Sequence, residues 1–136
     1  MALVAIALLY IAGATLGVRL KAGNWVEMTV LILIGLIPFA GLGILMGHLL
    51  TPDSIGPAMG VTTALLALLG GVWFPITGGV MHAVAEGLPS YWLVQAAHVG
   101  LGEPGWGTLG WAVVAAWSVG AGLAAGRAYQ RDTQRV

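Results

Sequence analysis

Four stretches of this sequence run for about twenty residues each without a charged side chain. They are Ala2–Val18, Met28–Leu50, Ile55–Phe74 and Thr108–Gly126. Charges bound them: Arg19 follows the first, Glu27 precedes the second, Asp53 stands just ahead of the third, and Arg127 follows the fourth. A helix needs about 20 mostly apolar residues to cross a hydrocarbon core of about 30 Å. Four such windows in 136 residues, 59% of them hydrophobic and only 7% charged, predict an all-α integral membrane protein, since soluble domains carry about 25% charged residues. The expected spans are about 2–18, 26–50, 55–74 and 108–126, in one transmembrane domain covering 1–136, with residues 127–136 as a tail.

The balance of five basic against five acidic residues leaves no electrostatic footprint for nucleic acid. The absence of cysteine removes disulfides and thiolate chemistry. The first window has no Lys or Arg ahead of it and its apolar run is too long for a secretion signal, so it reads as a spanning helix. Pro38 is expected to kink the second helix without ending it. Glycines recur four apart, as Gly13/Gly17, Gly43/Gly47, Gly56/Gly60 and Gly122/Gly126. That spacing is expected to let helix backbones approach closely.

Residues 71–93, GVWFPITGGVMHAVAEGLPSYWL, break the pattern. The segment 76–99 is long enough to cross, but His82 and Glu86 would sit near the bilayer centre, where an ionised carboxylate costs about 2.5–3.5 kcal/mol. Pro89 would interrupt the hydrogen-bond ladder there too. Divided at Gly87 and Pro89, the segment becomes two short helices, the first capped by Gly87, the second running Tyr91–His98 with Ser90 as its N-cap and Gly100 at its end. The expected form is a re-entrant helical hairpin. Trp73, Phe74, Tyr91, Trp92 and Trp106 flank it and suit headgroup depth, as membrane anchors or as the walls of a passage. A five-crossing alternative would put Arg19, Lys21, Arg127, Arg131 and Arg135 on one side and satisfy the positive-inside rule better.

Several segments carry a family resemblance: VRLKAGNW, then LIPFAGLGILMGHLLTPDSIGPAMG, then LLALLGGVWFPI, a short helix, LPSYWLVQAAH, a Gly-rich loop and a last helix with a basic tail. In this order they resemble the permease subunits of ATP-binding-cassette (ABC) type-2 exporters, over nearly the whole chain. The resemblance implies a channel of two permease subunits, homo- or heterodimeric, in a bacterial cell membrane. A pair of cytoplasmic ATPase subunits would hold the ATP and Mg and drive export of an amphipathic drug, lipid or glycan, with no cofactor on this chain.

Such permeases have six spanning helices, and this chain corresponds to the third through sixth. A fragment, or a second polypeptide that supplies the first two helices and the coupling helix, is therefore expected. In that frame the loop with His48 and Asp53 is cytoplasmic and the hairpin external, with Phe74, Pro75, Pro89, Tyr91 and Trp92 as its gate. The chain contains no GxxxxGK[ST] phosphate loop.

Two other readings stay open. An intramembrane enzyme would draw on His48, His82, His98, Glu86 and Asp53. The i,i+4 pair His82/Glu86 offers only two ligands and no HExxH, which fits a pair on a helix surface better than a metal site. A membrane scaffold subunit without transport activity would need only the glycine-rich helices.

Overall fold

The computed structural model describes residues 1–134, and Arg135 of the basic tail lies outside them. Among the described residues all regular structure is helical: α1 (Ala2–Thr15), α2 (Ala22–Gly35), α3 (Ile37–Leu49), α4 (Pro52–Leu69), α5 (Gly79–Glu86), α6 (Pro89–His98), a 3-10 turn (Val99–Leu101) and α7 (Thr108–Thr133). Two are long and apolar enough to cross a membrane: α2 and α3 taken together as Ala22–Leu49, and α7.

The other two expected spans come out shorter. Helix α1 has 14 residues, about 21 Å at 1.5 Å per residue, less than a hydrocarbon core. It ends at Leu16–Gly17, where Gly17 adopts φ +86 and turns the chain back. Helix α4 starts earlier than expected, because Thr51 and Ser54 form a reciprocal capping box ahead of the Pro52 N-terminus. It also stops earlier, at Gly70, followed by Gly71 in the left-handed region at φ +79. Helix α7 runs through the expected tail as far as Thr133.

Pro38 acts as foreseen but divides the helix more fully. Lacking an N–H, it cannot donate to the carbonyl four residues back. The chain steps through Leu36 at φ −80, ψ −17 and restarts as α3 with proline in its first turn. The two halves pack against different neighbours. Helix α2 lies along α6 and the 3-10 turn, and α3 lies along α7.

The core is small and sits on the α2 side: Met28, Leu31, Trp92, Ala96, Val99, Trp106 and Val114. Most large apolar side chains face outward, including Leu8 at 62% exposure, Leu65 at 52% and Leu123 at 58%. Soluble monomers rarely expose apolar surface so broadly. Helix α1 rests on α2 through Tyr10, whose ring edge meets Trp25 at 4.5 Å. Thr29 spends its only hydroxyl proton on the Trp25 carbonyl at 2.6 Å, so the Tyr10 phenol donates to Thr29 Oγ1 at 2.7 Å. Thr15 and Ser118 likewise bond back to Ala12 and Val114 of their own helices, the usual fate of a hydroxyl in an apolar setting.

The glycines that permit close packing are not the expected pairs. A Cβ on Gly43, Gly47, Gly56, Gly60, Gly122 or Gly126 would meet nothing within 4 Å, whereas one on Gly41 would lie 2.9 Å from the Ala121 Cβ and 3.2 Å from its backbone. Gly110 leaves room for the Trp92 ring, at 2.6 Å from such a Cβ. Gly41→Leu should therefore destabilise the chain by about 1–3 kcal/mol through overpacking. Gly43→Leu, two residues along the same helix, should cost far less. Thermal unfolding of the two variants in one detergent measures the difference.

Candidate functional site

The hairpin forms because its sequence forbids one long helix. Helix α5 has 8 residues and α6 has 10, and the break between them is fixed by Pro89 at the first position of α6. No continuous helix covers 76–99. The boundary details depart from expectation. Leu88, with extended backbone, is the N-cap in place of Ser90. Ser90 lies inside α6 against Gly70, its hydroxyl buried without a partner among the described residues. Helix α6 passes through the 3-10 turn and stops at Gly102, at φ +92, two residues beyond the expected Gly100.

Two tryptophans fasten the break, and a third ties α6 to the loop ahead of α7. Trp92 Nε1 donates to the Glu86 carbonyl at 2.8 Å, and Trp117 Nε1, from α7, donates to the Gly87 carbonyl at 2.8 Å. Trp106 Nε1 donates to the Trp92 carbonyl at 2.7 Å. Helix ends leave carbonyls without intrahelical partners, and an unpaired polar group away from water is costly. Each indole supplies one donor on a largely apolar body. Trp92 and Trp106 are 9% and 8% exposed. Both expected anchors are thus core residues, and the signal in the sequence was their position beside a helix break.

The depth of the tip follows from its neighbours. Leu93 of α6 meets Gly35 at the end of α2, while Gly100 meets Met28 and Leu20 near its start, so α6 runs antiparallel to α2. Gly35 lies seven residues past Met28, the first residue of the second charge-free window, so Leu93 lies about 10 Å inside that window and the turn at Gly87–Pro89 lies further along. The flanks return to the same place: Gly70, after α4, packs on Ser90, and Trp106, ahead of α7, is bonded to Trp92.

Beside the hairpin lies a cavity of about 360 Å³, walled by Gly71, Trp73, Pro75 and Thr77 on one side and by Tyr91, Gln95 and His98 on the other. The last three recur along one face of α6 at i, i+4 and i+7. The Tyr91 hydroxyl also hydrogen-bonds with His82 Nε2 at 3.2 Å, and its ring meets that ring edge-on at 5.6 Å. His82 Nδ1 stands 3.6 Å from the Glu86 carboxylate.

Of the five residues expected at a gate, Pro75 and Tyr91 line this cavity, whereas Phe74, 68% exposed, is not part of its wall. Pro89 and Trp92 are buried behind them and hold the turn. Sequence reasoning had not assigned Gln95 and Thr77 to this wall. The other polar candidates lie at the far end of the helices: His48, in the last turn of α3, pairs with Asp132 of α7 at 2.6 Å, and Asp53 occupies the first turn of α4, where its charge suits the helix dipole. Among the described residues no three His, Asp or Glu side chains are grouped closely enough to hold a metal.

Replacing Trp92 by Phe removes one donor and leaves the Glu86 carbonyl unpaired, at a cost of about 1–3 kcal/mol. Unfolding in detergent should show that loss together with faster protease cleavage between residues 71 and 88, whereas Trp73→Phe, at an exposed ring, should leave both unchanged.

No protein-family profile matches the chain, and no solved structure matches it. A curated relative does: the Bacillus subtilis (strain 168) protein named "Putative transport permease YvfS" is 31% identical over 106 residues, 74% of this chain and 43% of the relative. The chain thus spans less than half the length of that relative. Its likeness is to a protein named as a putative transport permease.

Proposed function

We propose that this chain is the C-terminal, membrane-spanning part of an ABC type-2 exporter permease, carrying an amphipathic drug, lipid or glycan outward across a bacterial cell membrane. The observation that carries the reading is the hairpin. Two helices too short to span meet at a turn pinned by indole donors, Leu93 of the second lies about 10 Å inside an apolar window, and both flanks return to the start of that helix. Irregular backbone at such depth is tolerated only where protein or a water-lined cavity satisfies it. The similarity to a transport permease and the order of elements support the same reading.

In this proposal the hairpin closes the external mouth. Phe74, Pro75 and Tyr91 face the passage, and Pro89 and Trp92 keep the turn rigid behind them. A second permease subunit completes the conduit. ATP and Mg are bound by separate cytoplasmic subunits, whose hydrolysis cycle moves the two halves between closed and open arrangements; the loop between α3 and α4, with His48 and Asp53, faces them. The i,i+4 pair His82/Glu86 supports Tyr91 and carries no chemistry of its own.

Accessibility tags test the topology: residues 70 and 105 should report from one face of the bilayer, and labelling from opposite faces would remove the hairpin and the permease assignment with it. Function is tested by expressing the chain with its genomic neighbours. Recovery of an ATP-binding subunit in detergent and ATP-dependent efflux from vesicles are expected, and His82→Ala with Glu86→Ala should leave assembly intact. Assembly without efflux would favour a scaffold, and loss of a chemical activity in the double variant would favour an enzyme.

A further inference from the structure

Helices α3 and α7 cross closely at Gly41 and Ala121, and below that contact a groove opens along their length. Its upper part, about 400 Å³, is apolar and lined by Leu42, Ala116, Trp117 and Gly120. Its lower part, about 370 Å³, holds His48, Arg127, Arg131 and Asp132. Leu45 and Ala124 line both parts, so the two form one channel with an apolar shaft and a charged foot.

The charges of the foot do not cancel. Asp132 is paired with His48 at 2.6 Å, and among the described residues Arg127 and Arg131 form no ion pair. Arg127 is the first charge after the apolar run of α7, and Arg131 follows one turn later, about 6 Å further along the axis. If that apolar run fills the hydrocarbon core, both guanidinium groups stand in the headgroup layer, about 5–7 Å deep on each side. Arginine presents a fork of donors that matches phosphate oxygens.

We infer that this groove is a seat for one anionic phospholipid, its phosphodiester held by Arg127 and Arg131 and an acyl chain lying against Leu45, Gly120 and Trp117. The apolar shaft and the cationic foot match the two ends of one molecule. A transmembrane helix from a protein partner would fill the shaft but leave two arginines needing carboxylates at the foot. Free phosphate would satisfy the foot and leave the shaft empty. The site is remote from the hairpin cavity and requires only that the chain lie in a bilayer, so it stands or falls separately from the export reading.

Native mass spectrometry of the full chain, incubated in detergent with equal amounts of phosphatidylglycerol and phosphatidylcholine, tests the seat. Phosphatidylglycerol adducts should dominate by about tenfold, the scale expected of two arginines near an anionic surface. Arg127→Gln with Arg131→Gln should abolish the preference, and Arg→Lys at both positions should restore part of it. Arg131→Gln alone, at an exposed helix end that cannot unfold the chain, should already weaken it.

Gly120→Leu, at a position with open space around it, should block the shaft and reduce adducts of both lipids. An unchanged preference in the Arg→Gln variants overturns the proposal. So does displacement of phosphatidylglycerol by millimolar inorganic phosphate with Gly120→Leu without effect, since that describes an anion site alone. Disulfide cross-linking of Gly120→Cys between two copies in vesicles would assign the groove to a protein interface and overturn it as well.

Discussion

The structure depends on what happens to backbone carbonyls where a helix must break in an apolar setting. Between Glu86 and Pro89 the ladder cannot continue, and water is not the partner that the surrounding side chains favour. Trp92 and Trp117 meet that demand from the start of α6 and from α7, while Trp106, in the loop ahead of α7, donates to the Trp92 carbonyl inside α6. The rings of Trp92 and Trp106 also enter the small core. Two of these contacts thus satisfy the break, and the three together attach the hairpin to its neighbours. Gly110 and Gly35 matter for the same reason, since each leaves space for one of these rings.

The two ends of the molecule have different character. Around the hairpin, polar groups are drawn inward: Tyr91 to His82, His82 beside Glu86, and Gln95 and His98 toward the cavity. At the opposite end they are displayed outward, with Arg127 and Arg131 beside the bonded pair His48–Asp132.

Much of this was legible in the sequence, because the strongest signals were prohibitions. Charge bounded the apolar windows, and Pro89 marked the place where the helix in 76–99 breaks. Signals that depend on three-dimensional neighbours were not legible. Four-apart glycines look alike whether or not a helix faces them, and here the close approaches fall at Gly41, Gly70 and Gly110, outside the pairs. Trp106 reads as an interfacial anchor until its indole is seen bonded to Trp92. Ser90 reads as a cap until proline takes the first helical position and leaves that hydroxyl inside. The length of α1 was overestimated because lack of charge does not reveal where Gly17 turns the chain.

Pro38 leaves a consequence that reaches beyond a missing bond. The longest apolar run in the chain serves two masters: its first half is glued to the hairpin, its second half to the terminal helix. The two partners are themselves joined, since Trp117 and Gly110 of α7 also hold the hairpin. A bend at Leu36 would therefore be felt at the hairpin and at the terminal helix together.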